Sequence, residues 1–223
     1  MSRTHWRRSL TVSNPPLSQR LWDDNRDLAE ACLEHPFIVG LADGSLSESR
    51  YGLFAQQDHF YLDAYARSYA WGAVRAQDFA TRRQFGSLLA GIMTEGTLHE
   101  KTAPELGVSL EDVQPLPAAR EYTDFLLATA SLGTIGEHIA AMAPCAKLYG
   151  WLGTRLADQP YDERYGFWIN MYAGAGYLEK VDIIMGMLDE HGENSATEAI
   201  KFRTAMELEY HFFDSAWVNG ESG

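Results

Sequence analysis

The chain has 223 residues, 46% of them hydrophobic, and a formal charge of −13 from 18 basic and 31 acidic side chains. That length can bury a core without metal or disulfide staples. The acidic field repels phosphate backbones and anionic lipid, which sets nucleic acid and membrane aside as partners.

The two cysteines, Cys32 and Cys145, read as free thiols in a reducing compartment. No apolar run has bilayer length and no signal-peptide core is present, so the expected location is cytoplasmic. Arg3, Arg7 and Arg8 surround Trp6 in a tail, and residues 1–15 are expected to form a mobile N-terminal extension. Residues 16–223 read as a single domain.

The segment Pro16 to Glu34 carries Leu17, Leu21, Leu28, Ala29 and Cys32 near helical spacing and predicts a first helix. Cys32 fits that stripe as a small core residue. A short helix follows from His35 and stops at Asp43-Gly44. Ser45-Leu-Ser-Glu48 has the form of a capping box, and a long helix is expected from there to about Gln77. Another is expected over about Thr81 to Lys101. Pro104, Gly107, Pro115 and Pro117 mark a linker, with a short helical turn from Ser109. Helices are then expected over Ala118 to Leu132, Thr134 to Leu156 and Glu163 to His191. Ser195-Ala-Thr-Glu198 caps a last one reaching about Trp217. No window alternates as a strand does. The fold class is therefore all-α, one helical bundle joined by short connections.

Three side chains stand out chemically. Asp58 has Phe54, Tyr61, Leu62 and Tyr65 at three-to-four spacing, so it lies near an aromatic face. A carboxylate there either ties helices together or accepts hydrogen bonds from a ligand's amino group. Cys145 follows Pro144 within a helical stretch, with Tyr149 one turn on. A catalytic thiol needs a base, cation or helix dipole beside it; a structural cysteine needs none. Glu209 faces inward with Ala205 and Phe212, as a structural carboxylate or as an acid–base group. Tyr61, Tyr122, Tyr149 and Tyr172 fall on helices, either as core or as a flat polar lining. Glu95-x-x-x-His99, Glu137-His138 and Glu209-x-His211 are the places to consider a metal, but the paired Glu-x-x-His of di-iron bundles is missing from the sequence.

In order and spacing, several segments resemble the TenA family, also called thiaminase II. These are Glu34-His-Pro-Phe37, Leu41-Ala-Asp-Gly44-Ser-Leu46 and Gln57-Asp58-His-Phe-Tyr61-Leu62. Ala140-Ala141-Met-Ala-Pro144-Cys145 with Tyr149, Trp168-Ile-Asn-Met-Tyr172-Ala173 and Glu209-Tyr-His-Phe212-Phe213 complete the set. The resemblance implies a helical fold of the haem-oxygenase type without haem or another cofactor, and a homotetramer. It implies hydrolysis of 4-amino-5-aminomethyl-2-methylpyrimidine to hydroxymethylpyrimidine in thiamin salvage, with thiamin itself as a further substrate. It assigns Cys145 as the nucleophile on the pyrimidine ring, Glu209 as the acid at the ring nitrogen and Asp58 as the partner of the amino group. Tyr61, Tyr122, Tyr149, Tyr172 and Phe212 are implied to line the site. Ala146-Lys147 and Ala173-Gly-Ala-Gly176 depart from the family's pattern, which bears on substrate preference. The rival readings are a metal-dependent oxygenase on the same fold and a non-catalytic pyrimidine-binding protein.

Overall fold

The computed structural model describes residues 14–104 and 107–220, and of residue 95 and residues 97–102 only the backbone. The extension expected over residues 1–15 thus lies almost wholly outside the described residues, as do the side chains of Glu95 and His99.

The described residues form ten α-helices and no strand. In chain order these are α1 Leu17–Asp24, α2 Arg26–Leu33, α3 Pro36–Asp43, α4 Glu48–Arg75, α5 Phe79–Thr102, α6 Pro117–Leu132, α7 Ile135–Ala157, α8 Gly166–Ala173, α9 Ala175–His191 and α10 Ala196–Asn219. The all-helical expectation holds. None of the described helices is long and apolar enough to cross a membrane.

Local chemistry sets most helix ends. Pro36 and Pro117 open α3 and α6, where a missing N–H costs nothing. Gly44 ends α3 at φ +78°, a backbone conformation that side-chain-bearing residues resist. Ser195 and Glu198 close the expected capping box on α10, and Thr134 with Glu137 closes a second one on α7.

Four expectations need correction. The first predicted helix is two, because Asn25 leaves the helical backbone (φ −116°, ψ 18°) and its buried amide donates to the Leu21 carbonyl. The N-cap of α4 is Ser47, which accepts from the Arg50 N–H, whereas the Ser45 N–H turns back to Asp43 Oδ1. The span from Glu163 to His191 breaks at Gly174, whose extended backbone separates α8 from α9, after a 3-10 turn at Glu163–Tyr165. No helix starts at Ser109.

The central element is α7, with 15 of its 23 residues buried. It packs against α8, α9 and α10, while α4 pairs with α5 and α6. Small residues along α7 permit the close approach. At Gly153 an added Cβ would lie 2.7 Å from the backbone of Tyr172 and Ala173 on α8. A stack of Phe37, Phe54 and Phe213 fills the space between α3, α4 and α10, with centroids 5.0–6.0 Å apart. Arg75, at the end of α4, donates to the Ala130 and Gly133 carbonyls and so closes the C-terminus of α6. Gln57 holds the segment before α6 by accepting from the Leu116 N–H and donating to the Gln114 carbonyl. These contacts fix α4, α6, α7 and α10 around one interior volume.

Candidate active site

Asp58 and Tyr61 come from α4, Tyr122 from α6, Cys145 and Tyr149 from α7, Tyr172 from α8, and Glu209 and Phe212 from α10. All except Cys145 are at most 4% exposed, and Cys145 is half-buried. The structure brings the predicted set together.

At its centre is the Glu209 carboxyl. The Tyr122 hydroxyl donates to Oε1 over 2.7 Å, and the Cys145 thiol hydrogen-bonds the same group. Burial pushes the Glu209 pKa up to about 8, the two hydrogen bonds pull it down, and the negative charge of Asp58 adds to the rise. Burial alone pushes Asp58 up to about 7. Both carboxyl groups are thus raised toward neutrality, and each is able to give or take a proton at physiological pH.

The partner that sequence could not supply for Cys145 is thus a carboxylate. His138, two turns before it on α7, bonds Ser68 at 2.8 Å instead, and burial together with Arg75 lowers its pKa to about 4. Lys147 turns outward, with Nζ 5.3 Å from the Trp22 ring centroid. Pro144 sits within an unbroken α7 and, lacking an N–H, leaves the Ala140 carbonyl without its helical donor.

Aromatic rings surround these groups. Tyr61 lies 4.8 Å from Tyr122 and 5.8 Å from Phe212, and Tyr149 lies 4.8 Å from Tyr172. The phenols of Tyr61, Tyr122 and Tyr149 are pushed well above their usual range, first by burial and then by nearby acidic groups, so they act as neutral donors and flat surfaces.

Two further residues belong here. Tyr65 stacks on Tyr61 at 5.4 Å, and its hydroxyl donates to the Met142 carbonyl, one turn before Cys145. Trp168 lies 4.6 Å from Tyr172, and its buried indole N–H makes no hydrogen bond with the described residues. The Tyr61 hydroxyl leans toward Tyr122 but lacks hydrogen-bond geometry. Both are donors that a polar ligand would satisfy. Tyr65 was legible as Tyr61 plus four; Trp168 opens one of the segments that carry the resemblance, but it was read there as part of a motif and not as a donor in the site.

Of the positions considered for a metal, Glu137 is used in the α7 cap, His138 is buried on Ser68, and His211 is exposed. Among the described residues no group of three or more His, Cys, Asp or Glu side chains is placed to hold a metal ion.

Residues 22–219 match the model of the TENA/THI-4/PQQC family. An aminopyrimidine aminohydrolase of Halalkalibacterium halodurans is 35% identical over 212 residues, covering 88% of this chain and 93% of the relative. A TenA homologue from Pyrococcus horikoshii superposes with a TM-score of 0.84 at 27% identity, over 92% of this chain and 99% of that one. A Shewanella denitrificans domain described as having a heme oxygenase-like fold gives 0.74 at 14% identity, over 95% of each chain, and so shares the fold.

Proposed function

The chain belongs to the TENA/THI-4/PQQC family, and on that premise we propose that it is an aminopyrimidine aminohydrolase of thiamin salvage. It would hydrolyse 4-amino-5-aminomethyl-2-methylpyrimidine to the hydroxymethylpyrimidine. The observation that carries the reading is the Cys145 thiol on a Glu209 carboxyl raised toward neutrality, among aromatic rings that also bury Asp58.

The pair suits addition to a flat heteroaromatic ring. The Cys145 proton passes to Glu209, and the thiolate forms a bond to the ring carbon beside the 5-substituent. Glu209 hands the proton to the adjacent ring nitrogen as the π electrons move there. Aromaticity is lost, and the amino group's lone pair pushes through the ring to expel the protonated exocyclic amine as ammonia. Positive charge builds on the ring's amino nitrogen, where Asp58 accepts its hydrogen bonds. Water adds to the exocyclic carbon and gives up a proton. The ring nitrogen returns its own proton to Glu209 as the carbon–sulfur bond breaks, which restores the aromatic ring and the thiolate. Charge gathers on ring nitrogens rather than on a carbonyl oxygen, so no oxyanion hole is needed. The tyrosines and Phe212 hold the ring flat and keep bulk water out. The same steps applied to thiamin would expel a neutral thiazole.

The deciding experiment incubates purified protein with the aminomethylpyrimidine and measures ammonia and the hydroxymethyl product. Equal release of both, lost at least a thousandfold in Cys145→Ser, is expected. Wild-type protein that converts no aminopyrimidine overturns the reading. Binding without turnover would make the chain a pyrimidine-binding protein, and turnover that survives Cys145→Ser would remove the thiol from the mechanism.

A further inference from the structure

We propose that Tyr65 and Ser68 of α4 clamp Met142 of α7 and so hold Cys145 within reach of Glu209, which makes Tyr65 a positioning residue of the proposed reaction. The inference rests on the aminohydrolase reading for its kinetic effect, whereas the clamp itself consists of contacts between two helices.

The helix α7 is weakest in the turn that leads into the thiol. Pro144 has no N–H, so the Ala140 carbonyl lacks its helical donor, and a proline ring also crowds the carbonyl four residues back. One rung is missing just before Cys145. Packing of whole helices does little to make up for it from the α4 side, because α4 packs far more extensively on α5 and α6 than on α7. The hold of α4 on this turn rests on particular side chains.

Two of them grip Met142 at different atoms. The Tyr65 hydroxyl donates to its carbonyl over 2.7 Å, and the Ser68 hydroxyl donates to its Sδ at 3.3 Å. Ser68 Oγ also lies 2.8 Å from Nε2 of His138, one turn earlier on α7. The buried Nδ1 of His138 has no hydrogen-bond partner among the described residues. This assigns the ring proton to Nε2, with His138 donating to Ser68 and Ser68 to Met142. His138, Met142 and Cys145 stand at i, i+4 and i+7, along one face of α7. Tyr65 and Ser68 stand three apart, along one face of α4. The contacts therefore fix the height and rotation of α7 on the face that carries the thiol.

The carboxyl side of the pair is tied to the same tyrosine. Tyr65 stacks on Tyr61 at 5.4 Å, Tyr61 lies 4.8 Å from Tyr122, and Tyr122 donates to Glu209. Burial first, then Tyr69 and Cys145, push the Tyr65 phenol well above its usual range, so it remains a neutral donor. A proton passes between a thiol and a carboxyl only over hydrogen-bond distance. A reacting group displaced by about 1 Å can lose on the order of a hundredfold in rate.

The test uses Tyr65→Phe, which removes the hydroxyl and keeps the ring against Tyr61. The kcat for the aminomethylpyrimidine is expected to fall about tenfold with KM changed by less than about twofold, because the clamp acts on the reacting pair and not on the bound ring. In Glu209→Gln, where the pair is already broken, adding Tyr65→Phe should cost less than about twofold. A merely structural role would lower both backgrounds alike. Alkylation of Cys145 by iodoacetamide, followed by peptide mass spectrometry, reads the pair without substrate; at pH 8 its rate should fall about tenfold in Tyr65→Phe and again be insensitive in Glu209→Gln. Circular dichroism and thermal melting check the fold. If Tyr65→Phe misfolds, Ser68→Ala, which frees the sulfur, decides by the same two cycles. A kcat or an alkylation rate within about threefold of wild type in the folded variant, or a loss that recurs in full in Glu209→Gln, overturns the clamp and leaves the aminohydrolase reading standing. Wild-type protein that converts no aminopyrimidine overturns that reading, and the alkylation cycle then decides the clamp by itself.

Discussion

The hydroxyl of Tyr122 on α6 donates to Oε1 of Glu209 on α10 at 2.7 Å, on the carboxyl group that also meets the Cys145 thiol. A hydrogen bond to the charged form of a carboxyl stabilises that form. The phenol thereby limits how far burial can raise Glu209 and keeps it able to accept the thiol's proton.

Tyr122→Phe removes that donor and leaves the ring. Glu209 should then titrate higher still. A hydrogen bond to a charged group contributes about 1.5–3 kcal/mol, so kcat/KM at pH 7 should fall by roughly ten- to a hundredfold. A pH–rate profile of the variant checks both effects, and an unshifted profile would remove Tyr122 from the proton pathway.

The pH dependence of the wild type follows from the same group. In the proposed reaction Glu209 must be ionised to accept the thiol proton, and its pKa is pushed up to about 8 by burial. The kcat/KM for the aminomethylpyrimidine should climb with pH up to about 8 and then level. Glu209→Gln should flatten this limb and lower kcat/KM by about 10²–10⁴-fold, the usual scale of general acid–base catalysis. A limb that persists in the variant would belong to another group.

Stability should move the opposite way with pH. The folded-state pKa values of Asp58 and Glu209 lie above their ordinary values of 3.8 and 4.5, at about 7 and about 8. Between these limits the folded state holds more protons than the unfolded one, so unfolding free energy falls as pH rises. The cost is absent below about pH 4 and complete above about pH 8. Urea unfolding of ligand-free Glu209→Gln should show a gain of a few kcal/mol over wild type at pH 8.5, since one pKa unit corresponds to about 1.4 kcal/mol. At pH 4.5 the gain should nearly vanish.

Gly153→Ala tests the α7–α8 contact. The added methyl would lie 2.7 Å from backbone atoms of Tyr172 and Ala173, which cannot swing aside as a side-chain tip can. Overpacking of this kind costs about 1–3 kcal/mol. The melting temperature should drop, and KM should rise as Tyr172 is pushed from its place against Tyr149.

Much of the fold was legible because helix ends are written locally. Pro36, Gly44, Pro117 and the Ser195 box each act within a turn of their own position. Asn25 and Gly174 were missed for a related reason. A polar side chain that bonds its own preceding turn, or a glycine that adopts an extended backbone, looks tolerable inside a helical pattern until tertiary contacts select the break. The site divides in the same way. Asp58, Cys145 and Glu209 were marked by their places on apolar faces and by the resemblance. The bond from Cys145 to Glu209 joins separate helices, and spacing along one helix carries no record of it. Trp168 was hidden because a buried indole reads the same whether or not its N–H has a partner.

The distribution of the centre over α4, α6, α7 and α10 also has a consequence for biosynthesis. A nascent chain that has emerged as far as α7 already carries the proposed nucleophile, together with Asp58 and Tyr122, but not the Glu209 carboxyl that its thiol meets in the folded chain. Chains fold as they leave the ribosome, N-terminal parts first. The Cys145–Glu209 pair is therefore among the last parts assembled, and an incomplete translation product holds the thiol without the carboxyl that the proposed reaction needs.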